Sequence, residues 1–360
     1  ESDDQALEAV TPGSGLLSVF FFVKLPPALR HFRSYSLYRL ECGIRSSAIL
    51  GFIGLPTLGF HLETAFSQGL YSEAAALLYL LFALIATLKY WMQFRLLLIY
   101  LPAAILWIPE SPAINWQLIQ QFFTVDIIPA PLRHGLSDGS ELLPQQLPQL
   151  LQWGETLLTQ QVLPGATNTL LLSIIALVAT ALLTLLLFPW VSHHFGNRPV
   201  RTVWHVVLVI FRSIPELILA FLLTITIGPS MLPAIIALAL HNAAIIGYLI
   251  GQFSDSLPVR PDMPGGVDRY FFEILPRVYG QFLAFLFYRW EVIMRETAIL
   301  GVLGVHTLGF YIDSAFEELR FDRALFLILV TALLNLMIDG ISRTIRSRMK
   351  LGNLRQQANC

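Results

Sequence analysis

The sequence predicts an all-α fold, a polytopic membrane helical bundle, on three observations. Of 360 residues, 55% are hydrophobic and only 13% are charged, where a soluble domain carries about 25% charge. The apolar residues gather in runs that approach or exceed the ~20 needed to cross a bilayer as a helix. The runs also recur. Residues 25–66 match residues 275–316 at 18 of 42 ungapped positions, where composition alone gives roughly three.

Hydropathy places about eight spans, at residues 32–54, 71–88, 94–108, 167–190, 203–227, 231–250, 278–304 and 324–341. The third is short and contains Pro102. The positive-inside rule puts the tail "RTIRSRMK" (343–350) in the cytoplasm. Walking back from it, 310–323 falls outside, 251–277 inside, Pro229 outside and 193–201 inside. The stretch 109–166, poor in Lys and Arg, falls outside, and Lys89 and Arg95 fall inside only if 94–108 crosses. Prolines punctuate 109–166, so it reads as a linker plus one interfacial helix over 142–161.

The repeat organises the chain. Residues 1–95 form the C-terminal part of a first unit, 96–166 a linking span and external segment, 167–350 a second unit and 351–360 a cytoplasmic tail. Residues ~150–250 have no counterpart before Glu1, so the reading expects the natural protein to extend further, with the first unit's leading helices missing here. A genuine half-repeat is the alternative. A net charge of −1 says nothing about partners, and no nucleic-acid partner is expected. Cys42 and Cys360, far apart, suggest neither a disulfide nor a metal site.

The aligned helices carry charge. Glu41 and Arg45, like Glu291 and Arg295, are four residues apart with Glu leading, the favourable order on one helix face. Ionisable groups at bilayer depth are costly and usually face the bundle interior or water. Arg39 and Arg289 sit six residues before their partner arginines, and Glu296 adds a second carboxylate in the later copy only. Two such helices around a pseudo-two-fold would bring Arg45 and Arg295 together, and a ring of arginines suits an anion pathway. Satisfied ion pairs that fix helix packing are the alternative. His241 and Asn242 lie in the apolar "ALALHNAAIIG". A hydrogen bond to a neighbouring helix or a substrate contact would explain them. The repeated "GFIGLPTLGF" and "GVLGVHTLGF" fit a helix end folding into a tight turn or re-entrant segment.

A polar loop ends in Leu-Pro before each charged helix, at Pro26 and at Pro276. The first reads "ALEAVTPGSGLLSVFFFVKLP", with Glu8 and Ala9 ahead of Gly13, which lies thirteen residues before Pro26. It resembles the coupling loop of ABC-importer permeases. "FRSIPELILAF", "IGPSMLPAIIALALHNAAIIG" and "YRWEVIMRETAILGVLG", in that order, resemble the phosphonate-type branch of that family. The resemblance implies a type I importer permease fold, two fused permease units around one pathway in the bacterial inner membrane. It also implies a periplasmic substrate-binding protein and cytoplasmic ATPase subunits as partners, and phosphonates or related phosphorus oxyanions as substrates. In the second loop, "SDSLPVRPDMPGGVDRYFFEILP", Gly265 and Pro276 are the candidate coupling residues, eleven positions apart. The Glu-Ala pair is gone, and three prolines oppose a regular helix.

No Gly-Lys pair occurs anywhere, so the chain has no P-loop. The reading is a permease without enzymatic activity or cofactor of its own, ATP being used by its partner. An ion-driven secondary transporter is the rival, but six spans per period would make these repeats parallel, whereas such transporters often have inverted ones. "PGSG" (12–15) superficially resembles a serine-protease motif but has no paired histidine.

Overall fold

The computed structural model describes residues 54–91, 94–107, 115–133 and 146–358, save 259 and 261–264, with isolated positions before residue 54. The chain divides into two compact units, Glu1–Pro112 and Ala113–Cys360. No strand occurs among the described residues.

The first unit contains α1 (Leu58–Ser67), α2 (Tyr71–Ala86) and α3 (Phe94–Leu106). Helix α3 has thirteen residues with Pro102 inside, about 20 Å at 1.5 Å per residue. Among the described residues no candidate span covers the expected 94–108.

The second unit opens with α4 (Trp116–Gln121) and α5 (Gln146–Leu157). A wide turn, Leu158–Val162, joins α5 to α6 (Leu163–Val191) without a break. The helix expected to lie separately in the interface is therefore the leading end of one 45-residue helix, Leu147–Val191. Then come α7 (Arg198–Ser213), α8 (Glu216–Ile227), α9 (Met231–Asp255), α10 (Leu275–Ile299), α11 (Leu308–Glu317) and α12 (Phe321–Ala358). Among the described residues, three helices are long and apolar enough to cross a membrane, and up to five if each bent pair counts as one span.

The first bent pair corrects the expected span at 203–227. Helices α7 and α8 meet at 93°. Pro215 has no N–H to continue the ladder, and Ile214 before it is extended (φ −72°, ψ 125°), as a residue preceding proline prefers. Helix α8 alone, twelve residues, spans about 18 Å. The second correction concerns the loop thought to end at Leu275-Pro276. The chain is helical from Val267 onward, and a wide-turned segment, Arg269–Ile274, runs straight into α10. Pro276 stands two residues after that wide turn, inside one continuous helix, where the looser turn takes up the ladder bond that its missing N–H cannot make.

Helices α6, α9 and α10 form the core, with Phe188, Ile246, Ile250, Ile274, Val278 and Phe282 in one buried cluster. Small residues let α6 and α9 approach closely. A Cβ on Gly251 would stand 3.3 Å from that of Val191, the small-residue packing expected where lipid supplies no hydrophobic drive. The opposite face of α6 presents Leu171, Ile175, Val178, Leu182 and Leu186, an apolar surface suited to acyl chains.

The sequence repeat is also a repeat of backbone geometry. Helices α1 and α11 begin and end 250 positions apart. Gly54 and Gly304 ahead of them have φ of +90° and +80°, a region open to glycine. A Cβ on Gly51 or Gly301 would stand 2.1 or 2.2 Å from the amide nitrogen of Phe60 or Phe310. Thr57 and Thr307 are both extended and donate at 2.7 and 2.6 Å to the carbonyls of Leu55 and Val305. These turns are the tight turns the glycines announce.

Candidate functional site

Helix α10 sorts its charges by face. Glu291 and Arg295, four apart, meet at 3.1 Å, with the Arg295 side chain 58% exposed. Arg289 and Glu296, seven apart and so two turns along the same face, meet at 3.7 Å, with Arg289 only 13% exposed. The two arginines that look alike in the sequence therefore occupy different surroundings.

Arg289 and Glu296 face α9. The Arg289 Nε donates to Asn242 Oδ1. The Asn242 amide donates to Glu296 Oε2 at 3.3 Å and to the Leu238 carbonyl at 2.8 Å. Asn242 is fully buried, and these bonds satisfy both ends of its amide, as burial demands.

One residue earlier, His241 serves the α7–α8 break. Pro215 leaves the Phe211 carbonyl without its helical donor. The His241 Nδ1 lies 3.3 Å from that oxygen and 3.0 Å from the Ile214 carbonyl. Carbonyls accept only, so Nδ1 carries the hydrogen. The other ring nitrogen, Nε2, stands 3.7 Å from Glu216 Oε2. Three helices thus bring Glu216, His241, Asn242, Arg289 and Glu296 into one polar cluster, and Glu216, His241 and Glu296 have ligand-type atoms all within 4.8 Å of one another.

A second polar junction ties the ends of α6 and α9. Asp255 Oδ1 accepts from Ser192 Oγ and the His193 amide, both at 2.7 Å, and lies 2.8 Å from His193 Nδ1. His194 Nε2 lies 2.9 Å from the Ser254 carbonyl. Burial holds the His194 pKa below its ordinary 6.5, against the raising effect of that carbonyl bond.

Of the residues singled out in the sequence, the structure brings together Arg289, His241 and Asn242, and pairs Glu291 with Arg295 at a more exposed place. Gly265 lies in an exposed turn and Pro276 on the exposed first turn of α10. Glu8, Ala9, Gly13, Pro26, Arg39, Glu41 and Arg45 lie outside the described residues. Glu216 was not anticipated as a site residue. Its signal was present, a lone carboxylate after Pro215 in an otherwise apolar run.

Fold and site together define a polytopic helical membrane protein whose charged helix is paired internally to its neighbours. Among curated proteins the chain is similar to transport permeases. One is the phosphite transport system permease protein PtxC of Stutzerimonas stutzeri, 26% identical over 145 residues, 39% of this chain and 53% of that protein. Another is the phosphate-import permease protein PhnE of Mycolicibacterium smegmatis, 22% identical over 376 aligned positions, 97% of this chain and 68% of that protein. The chain thus spans about half to two thirds of these relatives' length. No family model matches it. A solved amino acid ABC transporter with histidines is 17% identical, covering 56% of this chain and 97% of that one, with a TM-score of 0.45.

Proposed function

We propose that the chain is the permease subunit of an ATP-driven importer for a phosphorus oxyanion such as phosphite, phosphonate or phosphate. The observation that carries this reading is the alignment of 97% of the chain with a phosphate-import permease, which takes in both copies of the charged helix. The permease forms the pathway and performs no bond chemistry itself. Two like-oriented units surround the route, residues 1–95 closing the first and 167–350 forming the second, with 96–166 between them on the external side. The tail 343–360 and the 254–276 connection lie in the cytoplasm of a bacterial inner-membrane protein. The ATPase subunits dock at that connection and its counterpart around Glu8–Pro26, and ATP-driven closure of the motor switches the pathway from outward- to inward-facing. A periplasmic binding protein delivers the solute.

Arginine is suited to the route because its planar fork of donors matches an oxyanion. The geometry supports different roles along α10. Arg295, exposed beside Glu291, can reach a passing anion, whereas Arg289, held by Asn242 and Glu296, positions the helix. The test is purification of the full-length protein with its candidate ATPase. The reading expects a stable complex whose ATP hydrolysis rises when the oxyanion-loaded binding protein is added. Absence of both the complex and the stimulation would overturn it.

A further inference from the structure

Helix α6 carries Pro189 near its end. Proline has no N–H to give the Leu185 carbonyl one turn back, and its ring crowds that oxygen outward. A carbonyl left without a donor inside a membrane protein is costly. Tyr270 supplies the donor: its hydroxyl donates to the Leu185 oxygen at 2.9 Å, across 85 positions of sequence. The ring is gripped as well. It stacks on the fully buried Phe188 of α6, with centroids 5.4 Å apart, and meets Phe195 edge-on at 5.9 Å. Of the aromatic run Tyr270–Phe272 only Tyr270 turns inward, since Phe271 and Phe272 are more than half exposed. The adjacent Arg269 donates to the His194 carbonyl, just past the end of α6, at 3.4 Å.

We propose that Tyr270 is a positioning residue that passes movement of the 254–276 connection to α6, by holding the carbonyl that Pro189 frees. The inference rests on the reading of that connection as the place where the ATPase docks. Tyr270 stands in the wide-turned segment Arg269–Ile274, between the connection and α10, and such turns are frequent at functional sites. A helix bends where proline opens its ladder, so a pull on the Leu185 carbonyl acts where α6 is already loosened. A cavity of about 590 Å3, bordered by Leu182, Leu186, Pro189 and Tyr270, lies against the joint and gives the segment room to shift. One directional bond and one rigid aromatic stack make the joint firm without making it permanent.

Two variants separate transmission from simple stability. Tyr270→Phe keeps the ring stack and removes the donor. Pro189→Ala gives the Leu185 carbonyl an N–H from its own helix and so releases it from Tyr270. Thermal unfolding of the full-length protein in nanodiscs should fall in temperature for the first variant and hold or rise for the second. Coupling is read in proteoliposomes carrying the full-length protein, its ATPase and its binding protein, as phosphite, phosphonate or phosphate taken up per ATP hydrolysed. Both variants should lower that ratio by about 5-fold or more, the weight of one such hydrogen bond. A merely structural role would leave the ratio alone, or lower it only where stability falls. A ratio unchanged in both variants, or lowered in one alone, overturns the inference and leaves the importer reading standing. Absence of ATP-driven uptake by the unsubstituted protein overturns that reading, and the inference with it.

Discussion

At the scale of single residues, surroundings rather than residue type decide what each charge does. Arg289 and Arg295 lie six apart on one helix, yet one is nearly enclosed and the other faces outward. Arg289→Gln leaves Glu296 without its cation, and removing one partner of a buried pair costs about 3–5 kcal/mol. Arg295→Gln breaks a pair that solvent already screens and should cost at most about 1 kcal/mol. Thermal unfolding of the two variants in nanodiscs checks the contrast. Equal losses would mean that the two faces are not distinct. The Glu291–Arg295 pair was readable from spacing alone, because four residues is one helical turn. The link from Arg289 to Asn242 was not, because it joins residues 47 apart through tertiary packing that no local pattern encodes. Glu216 was missed for a similar reason: its partner His241 lies on another helix.

His194 adds a pH dependence outside the spans. Its folded pKa lies below 6.5, chiefly because burial opposes the charged ring. The unfolded state therefore binds the proton more readily. Stability tied to this junction is fully present above about pH 6.5 and is lost as pH falls from there towards the depressed folded value. Hydrogen-exchange protection of the 192–194 turn, after correction for the slower intrinsic exchange in acid, should fall on acidification through that window. His194→Gln should flatten the response, and a turn equally protected on both sides of the window would contradict it.

At the scale of elements, the two copies serve as controls for each other. The turn after α1 has Gly69 at φ +73°, and the matching turn after α11 has Leu319 at φ +55°. The hydrogen bonds around them agree closely. Gly69 and Leu319 each donate at 3.0 Å, to the carbonyls of Phe66 and Phe316, and Leu70 and Arg320 each donate at 2.8 Å, to those of Ala65 and Ala315. A leucine in the left-handed region costs roughly 1–2 kcal/mol, and Leu319 is largely exposed, so its side chain returns little in packing. Leu319→Gly should therefore raise stability by about 0.5–1 kcal/mol after glycine's greater unfolded-state freedom is set against the relief. Gly69→Leu should lower it. A loss on Leu319→Gly would show that the leucine is held by contacts outweighing its strain. The glycine-marked turns were legible because glycine's backbone freedom is local. The α7–α8 break was half legible: Pro215 stood in view, but a hydropathy window averages over one proline, and the run 203–227 reads as one span.

At the scale of the whole molecule, the fold class followed from composition and the repeat, which are properties of the chain as a sum. The number of spans did not, since length alone cannot tell a straight crossing from two short helices meeting at 93°. The functional account rests on both charged helices lining one route that a partner motor drives. Its most direct test is uptake by proteoliposomes containing the full-length protein, its ATPase and its binding protein, supplied in turn with phosphite, phosphonate and phosphate. The account expects accumulation of at least one of the three only when ATP is present, with sharp impairment in an Arg45→Gln/Arg295→Gln variant that still assembles. Accumulation driven by a proton or sodium gradient without ATP, or transport of all three undiminished by the double substitution, would contradict it.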